Sequence, residues 1–510
     1  MKNPNILFIC TDQQRFDSLG CSGNPIARTP NIDFIAKQGV FFTNHTTPCP
    51  LCMPSRATLF TGLYPRNHGL VTNGMALDQE IPTLPGLLCD AGYHTHGVGK
   101  HHLQPILAPA ECKMPESTAF WKEAAAKSWS GPYYGFQKVE FVIGEADKAF
   151  TSGGHYAKWL EINHPEAVHL LESEASLETI PSDLDEIWKS AMPVELYYNT
   201  WITERAVDFI DAVEDPFFLF VSYPDPHHPF APPHPYCDLF RPQDVPLPRV
   251  VPGELSRMPT YYENIFSMGT SGFMKAYWGS PNDVECFLLQ TKDLREESLR
   301  LAIAHTYGMV TMIDDGIGHI LEALRRRGLE ENTIIVFTSD HGELLGDHGL
   351  LHKGPPAYRQ LREVPFIIKG PGIPRGQDIS CLTSHIDLMP TLLDIAGIDI
   401  VTSKFDGQSL LPLFSGSSDC LRNFVFAEYH PRSPAVQLYN QSVQSRKWRL
   451  TVYPEKPEWG ELFDLEEDPF EHNNLFSEPE YTHTVRELKH TIDNYFPSRP
   501  EVTSERIAKW

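Results

Sequence analysis

The sequence predicts an α/β protein with a large, mostly parallel sheet flanked by helices and a smaller C-terminal α+β subdomain built on an antiparallel sheet. Three continuous apolar runs, at residues 6–10, 216–222 and 332–337, predict buried strands, and polar residues follow each of them directly. Such runs are typical of parallel strands that are covered on both faces. Segments with helical spacing alternate with the strands, which indicates helices on both sides of one sheet.

The first part of the chain alternates strands and helices up to residue 98. A helix starts at Thr29-Pro30-Asn31 and stops at Gly39, because proline fits the first helical turn and glycine favours the helix end. In chain order, the predicted elements are a strand at 6–10, this helix, a strand at 40–44, a helix at 82–88 and a strand at 93–98. The pattern weakens over residues 104–194, which we interpret as an insertion that shapes a substrate pocket.

The rest of the chain continues the alternation and then changes character. The predicted elements are a helix at 195–212, a strand at 216–222, a proline-rich loop at 232–259, a helix at 295–327, and strands at 332–337 and 364–368. A helix at 384–396 leads into short strand-like runs at 424–429, 438–442, 448–453 and 461–465, with a closing helix at 482–495. We therefore divide the chain into a large domain at 1–383 and a C-terminal subdomain at 384–510.

The composition is that of an ordinary soluble globular protein with an acidic balance. Hydrophobic residues make up 41% of the 510 residues, and mean hydropathy is −0.29. The 42 Lys and Arg residues stand against 66 Asp and Glu residues, which gives a net charge of −24. This charge argues against nucleic-acid binding, so any anionic substrate must be held by a local cluster of positive groups.

The ten cysteines are scattered along the chain, which favours reduced thiols over a disulfide framework. The opening sequence MKNPNILFIC contains an apolar run that is too short and too early for a signal peptide or a membrane span. A cytoplasmic location is the simplest interpretation, with a periplasmic or secreted location as the alternative if a signal peptide has been removed.

The stretch from Cys52 to Pro65 carries the strongest chemical signal. A single cysteine in an apolar run is ordinarily a small buried hydrophobe, and Cys49 with Cys52 forms a C-x-x-C pair that also allows a redox interpretation. Cys52, however, precedes a segment with helical spacing that Gly62 closes. A helix N-terminus favours an anion through its backbone N–H groups and dipole, and this position indicates a functional role.

The same stretch resembles the signature of the type I sulfatases, C-x-P-S-R-x-x-x-x-T-G. The matching residues are Cys52, Pro54, Ser55, Arg56 and Thr61-Gly62. In that family a formylglycine-generating enzyme oxidises the cysteine to Cα-formylglycine, an aldehyde whose hydrate is the nucleophile. The resemblance implies an alkaline phosphatase-like fold, a sulfatase catalytic domain at 1–383, formylglycine at position 52 and hydrolysis of sulfate monoesters.

An aspartate follows each of two predicted strands, and either aspartate alone would fit an ordinary turn. Asp12 with Gln13, and Asp340 with His341, match the metal site of the family in order and context. The resemblance implies that these four residues and Cys52 bind the metal. Oxygen ligands suit Ca²⁺, the usual ion of the family, whereas the His341 nitrogen leaves Mn²⁺ or Mg²⁺ as alternatives.

Sulfate ester cleavage needs a nucleophile, positive charge around the non-bridging oxygens, a proton for the leaving oxygen and release of the covalent sulfate. By the resemblance, Arg56, Lys100 and Lys353 supply the positive charge. His227, in a Pro-His-x-Pro-Phe pattern, is the general acid together with Lys353. His102 lies in the sequence GKHHL, which resembles the G-K-W-H-L of the family, and is the base that releases sulfate.

Three further residues are predicted to bind the substrate. His101 stands where the family has tryptophan, and His228 lies beside the general acid. Asn73 follows the Cys52 stretch and could fill the place of an asparagine found in phosphonate monoester hydrolases.

The resemblance leaves the substrate open. Phosphonate monoester hydrolases share the fold, the formylglycine and the Asp-Gln and Asp-His pairs, but they hold Tyr and Thr at the positions of Lys100 and His102. Lysine and histidine here favour sulfate, and we expect a sulfated carbohydrate as substrate. The alternatives are a phosphonate or phosphodiester hydrolase, a broad arylsulfatase, and an anion-binding protein in which Cys52 stays unmodified. We expect no nucleic-acid or membrane partner, and leave homo-oligomer formation open.

Overall fold

The computed structural model contains one large sheet and one smaller sheet, each covered by helices. It describes residues 3–496 and 505–508, apart from 124–125, 127, 147, 181, 215, 261, 263–288, 292–293, 400–404 and 431–437. The strands are β1 Asn5–Thr11, β2 Val40–Phe42, β3 His45–Thr46, β4 His94–Gly99, β5 Lys138–Phe141, β6 Phe217–Tyr223, β7 Leu289–Gln290, β8 Thr333–Ser339, β9 Leu350–Leu351, β10 Phe366–Lys369, β11 Gln377–Ile379, β12 Thr383–Ser384, β13 Val425–Tyr429, β14 Asn440–Gln444, β15 Trp448–Val452 and β16 Gly460–Asp464.

Each predicted helix has a counterpart within a few residues, but the structure also contains helices that were not predicted, such as the ten-residue helix at Gly154–Asn163 in the segment 104–194. They are α1 Pro30–Lys37, α2 Cys52–Thr61, α3 Pro65–His68, α4 Leu84–Asp90, α5 Thr118–Trp121, α6 Lys148–Thr151, α7 Gly154–Asn163, α8 Tyr198–Ala212, α9 Glu296–Arg326, α10 Arg359–Arg362, α11 Leu388–Ile395, α12 Leu411–Phe414 and α13 Thr482–Tyr495. The helix predicted from residue 384 begins with a separate 3-10 turn at His385–Asp387. Ser384 and Asp387 form a capping box at the start of this turn.

The large sheet has eight strands in the order β11, β2, β10, β8, β1, β6, β4, β5. All neighbouring pairs are parallel except the two that involve β10, which runs antiparallel to both β2 and β8. The prediction of a mostly parallel sheet is therefore confirmed. The smaller sheet, β13 to β16, is antiparallel throughout, as predicted.

Alternate residues of the central strand β1 face two different cores. Ile6 and Phe8 pack on one face of the sheet with α2, α4 and α11. Leu7 and Ile9 pack on the other face with α1, α8 and α9. The continuous apolar run of β1 is explained by this two-sided burial, because neither face of the strand contacts water.

The segment at 104–194 contributes more to the fold than its sequence indicated. Its strand β5 pairs with β4 and forms one edge of the large sheet. Phe136, Val139 and Phe141 from this region are buried in the same core as Ile6. The strand is only four residues long and includes Lys138 and Glu140, so no apolar run marks it in the sequence.

The domain boundary at residue 383 stays a prediction. Helix α11 follows this boundary, and its residues Leu388, Met389 and Leu392 pack in the core beside the large sheet. Within the described part of the chain, no helix is long and apolar enough to cross a membrane.

Candidate active site

The carboxyl ends of β1 and β8 lie side by side in the large sheet, and each is followed by a buried acid. The strands are parallel neighbours with Thr11 opposite Ser339, so Asp12 and Asp340 leave the sheet side by side. Gln13 continues the turn with φ of +63°, a left-handed conformation that strains a residue other than glycine and recurs at functional sites. Its backbone amide donates a hydrogen bond to Asp340 Oδ1 at 3.0 Å.

Helix α2 directs its first residue, Cys52, at this pair of acids. Leu51 is extended before the helix, and Gly62 ends it in a left-handed conformation with φ of +66°. Every residue from Cys52 to Thr61 is buried. The Ser55 hydroxyl donates to the backbone carbonyl of Asp340 at 2.5 Å, which fixes the start of α2 against β8.

Arg56 forms hydrogen bonds with both acids. Its Nε donates to Asp340 Oδ2 at 2.8 Å and its Nη2 donates to Asp12 Oδ2 at 2.9 Å. Its Nη1 donates to the carbonyl of Lys100 at 2.8 Å and to the Ser222 hydroxyl at 2.9 Å. Burial alone would raise the pKa of Asp12, but Lys100 and Arg56 hold that pKa well below its usual range. Asp12 is therefore ionised, and its other oxygen, Oδ1, faces Cys52.

The Sγ atom of Cys52 occupies the place where formylglycine would carry an oxygen. It lies 2.9 Å from Lys353 Nζ, 3.3 Å from His341 Nε2 and 3.8 Å from Asp12 Oδ1. Burial, followed by the charge of Asp12, raises the pKa of the thiol to about 12. At neutral pH this residue is consequently a thiol and a poor nucleophile, despite its position at a helix N-terminus.

The polar groups around Cys52 fit a divalent cation. One ligand atom from each of Asp12, Cys52, Asp340 and His341 can be chosen so that all four lie within 4.8 Å of one another. His341 Nδ1 donates to the carbonyl of Gly342 at 2.9 Å, so the lone pair of Nε2 faces Cys52. Two carboxylates, one imidazole nitrogen and a nearby amide oxygen from Gln13 are suitable ligands for Ca²⁺, Mn²⁺ or Mg²⁺.

Lys353 brings a positive charge directly to this group. Its Nζ donates to Gln13 Oε1 at 2.7 Å and contacts His341 Nε2 at 3.0 Å, in addition to Cys52. The side chain is completely buried. The structure thus places the Lys353 ammonium group beside Cys52.

Lys100 approaches the same acids from the end of β4. Its Nζ lies 2.8 Å from Asp12 Oδ2 and pairs with Glu145. Burial alone would lower the pKa of Lys100, but the charges of Asp12 and Glu145 outweigh this effect and raise the pKa above its usual value. The ammonium group therefore stays charged. Gly99 has φ of +93°, and a Cβ there would lie 1.9 Å from the carbonyl of Ser222. Only glycine allows the backbone to turn at this point and direct Lys100 into the site.

His101 and His102 diverge. The backbone amide of His102 donates to Glu116 Oε2 at 2.5 Å, and its φ is +58°. Burial and Lys100 hold the pKa of the His102 ring well below its usual range, so the ring is neutral. The His101 ring packs edge-on against aromatic rings instead, which are those of Tyr133, Phe136, Phe141 and Phe220. This packing does not support a contact between His101 and the substrate. The His101 ring is instead one member of a cluster of aromatic rings.

His227 and His228 lie on the loop after β6 with their rings stacked at 4.1 Å. His227 Nδ1 donates to the carbonyl of His228 at 2.5 Å, while its buried Nε2 has no hydrogen-bond partner among the described residues. Burial and Lys353 hold the pKa of His227 well below its usual range. His228 Nδ1 contacts Gln13 Nε2 at 3.1 Å, so His228 also contacts a residue of the candidate metal site.

Asn73 is held close to the start of α2. Its Oδ1 accepts a hydrogen bond from the amide of Met53 at 3.1 Å. Its buried Nδ2 finds no partner within the described part of the chain, which leaves one amide donor for a ligand.

Three acids that position the predicted residues were not among the residues predicted from the sequence. Glu145 pairs with Lys100, Glu116 binds the amides of His102 and Leu103, and Glu343 accepts a hydrogen bond from the Gln13 amide group. Glu116 and Glu145 lie in the segment of weak periodicity, where no spacing links them to the rest of the site. Glu343 lies two residues after His341, so its position near the Asp340-His341 pair could have indicated it.

Comparison with known proteins agrees with this architecture. A family model described as Sulfatase matches residues 4–398, and one described as N-sulphoglucosamine sulphohydrolase, C-terminal, matches residues 346–496. The chain is 29% identical to an arylsulfatase of Clostridium perfringens, over 98% of this chain and 95% of that protein. It is 25% identical to an N-acetylglucosamine-6-O-sulfatase of Bacteroides thetaiotaomicron, over 96% and 86%.

A phosphonate monoester hydrolase of Agrobacterium radiobacter is structurally similar, with a TM-score of 0.78, 26% identity and coverage of 97% of this chain and 95% of that one. The family match spans most of the chain, and it includes both strand ends that carry Asp12 and Asp340 as well as the helix that starts at Cys52. The chain belongs to the sulfatase family, and it is a sulfuric ester hydrolase with an alkaline phosphatase-like fold.

Proposed function

We propose that this protein hydrolyses sulfate monoesters of a sulfated carbohydrate through a formylglycine made from Cys52. The observation that carries the proposal is the environment of Cys52, which lies between Lys353, His341 and Asp12 at the start of α2. A thiol with its pKa raised to about 12 is a poor nucleophile, whereas an oxidised residue 52 would supply an aldehyde hydrate whose hydroxyl attacks sulfur. A formylglycine-generating enzyme is then a required partner during maturation.

The chain would hold the sulfate by fixed positive charge. Lys353 Nζ already lies 2.9 Å from Cys52 Sγ, and Lys100 Nζ, just after β4, lies 2.8 Å from Asp12 Oδ2. Both ammonium groups are buried, so their attraction for an anion is screened little by water. We propose that they surround the sulfate, which explains how a protein of net charge −24 binds an anionic substrate. The Arg56 side chain is fully buried, and it acts by fixing Asp12 and Asp340 through its hydrogen bonds to both carboxylates.

Two histidines would move the protons. We assign His227 Nε2 as the donor to the leaving oxygen, because it is the ring nitrogen without a partner among the described residues. A bound sulfate is negatively charged and offsets Lys353, which makes protonation of Nε2 easier. We assign neutral His102 as the base that removes a proton when the sulfate is released. Asn73 Nδ2 and His228 are proposed to contact the substrate.

For the metal we propose Ca²⁺, held by Asp12, Gln13, Asp340, His341 and residue 52, with Mn²⁺ or Mg²⁺ as alternatives because of the imidazole ligand. When bound, the cation would polarise the hydroxyl of the nucleophile. The inward oxygens Asp12 Oδ1 and Asp340 Oδ1 lie 3.9 Å and 3.7 Å from His341 Nε2, which supports one shared ion.

The second candidate function is hydrolysis of phosphonate monoesters or phosphodiesters. The similar structure from Agrobacterium radiobacter is the observation in its favour. Against it, Lys100 and His102 stand where those enzymes have Tyr and Thr, and Lys100 contacts Asp12 directly. Broad arylsulfatase activity is the third candidate, supported by the arylsulfatase relative, whereas the N-acetylglucosamine-6-O-sulfatase relative supports a sugar substrate.

A substrate panel tests these candidates. Protein in which Cys52 has been converted is expected to give a higher kcat/KM on a sulfate monoester than on a phosphonate monoester with the same leaving group. Among sulfates, we expect turnover of at least one sulfated monosaccharide or disaccharide. A higher kcat/KM on the phosphonate would favour the second function, and activity confined to aryl sulfates would overturn the carbohydrate assignment.

His227→Ala is expected to affect poor leaving groups most. A sugar alcohol leaves only with a proton, so kcat/KM on a sulfated sugar should fall by about 10²-fold or more, the usual range for loss of a general acid. A nitrophenolate leaves without protonation, so 4-nitrophenyl sulfate should lose less than about tenfold. The measurement is kcat/KM for both substrates with wild type and variant.

The matched control is His228→Ala, which removes the stacked neighbour of equal size and similar burial. We expect this variant to lower kcat/KM on both substrates by similar factors, because His228 contacts Gln13 and not the leaving oxygen. Equal losses on both substrates for His227→Ala would refute the general-acid role.

A further inference from the structure

A second group of metal-ligating side chains lies outside the site around Cys52. Glu254 belongs to a short turn at Glu254–Arg257, His348 to a turn at Asp347–Gly349, and His472 to the loop after β16. One ligand atom from each can be chosen so that the three lie within 4.8 Å of one another. The group therefore joins three segments that are far apart in sequence.

Buried atoms in this group lack the partners that a folded chain normally supplies. His348 is fully buried, and neither of its ring nitrogens has a hydrogen-bond partner among the residues that the structure describes. Glu254 Oε1 is also buried and has no hydrogen-bond partner among the described residues. His348 Nδ1 lies 3.7 Å from Glu254 Oε2, which is beyond hydrogen-bond distance but close enough for an ion pair if the ring is protonated. Because unpaired polar atoms in an interior are costly, these atoms need an explanation.

An ordinary ion pair explains only part of the arrangement. His472 Nδ1 lies 2.5 Å from Glu254 Oε2, and its side chain is 17% exposed, so a charged His472 can pair with Glu254. The His348 ring stacks on Tyr358 at 3.7 Å with an angle of 7° between the planes. Neither contact gives a partner to His348 Nδ1 or to Glu254 Oε1.

We propose that Glu254, His348 and His472 bind a divalent cation of the zinc type. Two imidazole nitrogens and one carboxylate oxygen are common ligands of tetrahedral Zn²⁺, and a water molecule would complete the coordination. The set contains more nitrogen than the ligands that Ca²⁺ prefers, so this site differs in chemistry from the one around Cys52.

The expected role of this cation is structural. Asp347, next to His348, contacts Arg15 Nη2 at 2.7 Å and accepts a hydrogen bond from the amide of Arg249 at 3.2 Å. The Asn474 side chain donates to the carbonyl of Arg257 at 3.0 Å, so the segments of Glu254 and His472 already touch. A bound cation would fasten this contact and fix the turn that precedes Lys353.

Zinc titration of the full-length protein tests the site without any assay of activity. After removal of metals with a chelator and dialysis, Zn²⁺ binding is measured for wild type and for His472→Gln, which changes the most exposed of the three ligands. The control is His483→Gln, which changes an exposed histidine of α13 outside the group. We expect wild type and control to bind one more equivalent of Zn²⁺ than His472→Gln, or to bind it at least about 100-fold more tightly.

Thermal unfolding supplies the second readout. Zn²⁺ binds the folded state, so it should raise Tm of wild type and of His483→Gln more than Tm of His472→Gln, whereas without metal the three proteins should unfold at similar temperatures. Glu254→Gln, which keeps the shape of the side chain, should behave like His472→Gln. Equal Zn²⁺ uptake by all variants, or no uptake that depends on His472 and Glu254, would overturn the proposal.

Discussion

Cys52→Ala is expected to lower kcat/KM on every substrate by about 10⁴-fold or more while the fold is retained. Loss of a catalytic nucleophile has costs of this order in other hydrolases, because the remaining groups only bind and polarise the substrate. The Sγ atom contacts Lys353, His341 and Asp12, and no backbone group among the described residues hydrogen-bonds to it. Removal of one small buried atom should therefore change stability by only about 1 kcal/mol.

Cys49→Ala is the matched control for this variant. Cys49 is an equally buried thiol three residues earlier, but it lies outside the group of polar residues that contact Cys52. We expect Cys49→Ala to keep wild-type kcat/KM within about threefold, as surface and core changes away from reacting groups usually do. Equal inactivation by both variants would point to a general effect of the loop on folding.

The mass of the peptide that contains Cys52 gives the chemical basis of the result. Conversion of the thiol to the aldehyde lowers this mass by about 18 Da, a change that differs from the additions of oxygen in ordinary cysteine oxidation. We expect the lower mass in wild type and Cys49→Ala coexpressed with a formylglycine-generating enzyme. An unconverted thiol in an active enzyme would exclude the formylglycine mechanism and return attention to another nucleophile.

The sequence was sufficient to predict most of the large sheet, because burial on both faces leaves an unambiguous apolar run. Strands β1, β6 and β8 are of this kind, and each is seven residues long and buried throughout. The edge strand β5 was missed, because a short strand with charged residues has no such pattern. The direction of β10 was also beyond prediction, since a single apolar run has the same pattern in parallel and antiparallel pairs.

The candidate site was predictable where its residues lie next to a strand end or a helix start. Position indicated Asp12, Asp340 and Cys52, the resemblance to the sulfatase motifs assigned them to one site, and the structure brings them together. Glu116 and Glu145 were not found, because their roles depend on how a long irregular segment folds back onto β4. His101 is a further case: its motif predicts a site residue, but the ring turns into an aromatic cluster. Local sequence indicates position along the chain and not the direction of a side chain.

Arg56→Ala is expected to lower the free energy of unfolding by about 3–5 kcal/mol, the usual cost of removing one partner from a buried ion pair. Arg56 and its partners Asp12 and Asp340 have fully buried side chains. Without the guanidinium, two carboxylates remain close together with too little positive charge around them. The urea midpoint, at an unchanged m-value, measures the loss. The free energy of unfolding of Arg56→Lys should lie between those of wild type and Arg56→Ala, because one ammonium group cannot replace the three guanidinium nitrogens that donate hydrogen bonds here.

Arg449→Ala is the control that separates stability from catalysis. Arg449 is another fully buried arginine, on β15 of the smaller sheet, paired with Glu461 of β16 and with Glu471 in the loop after β16. We expect a similar loss of stability from this variant, but a wild-type kcat/KM for the folded protein at low temperature. Arg56→Ala should lose kcat/KM as well, because Asp12 and Asp340 are no longer held at their positions around Cys52.

The pH dependence of the Arg56→Ala effect tests its electrostatic cause. Burial opposes ionisation of Asp12, but Lys100 and Arg56 hold its folded-state pKa well below the usual value, so Asp12 stabilises the fold above the unfolded pKa of about 3.9. That contribution is lost as the pH falls through the lowered folded-state pKa. The stability gap between wild type and Arg56→Ala should therefore be largest near neutral pH and narrow in acid. A gap that stayed constant as the pH fell from 7 to below the lowered folded-state pKa of Asp12 would mean that Arg56 stabilises the protein by packing, and not by neutralising the two acids.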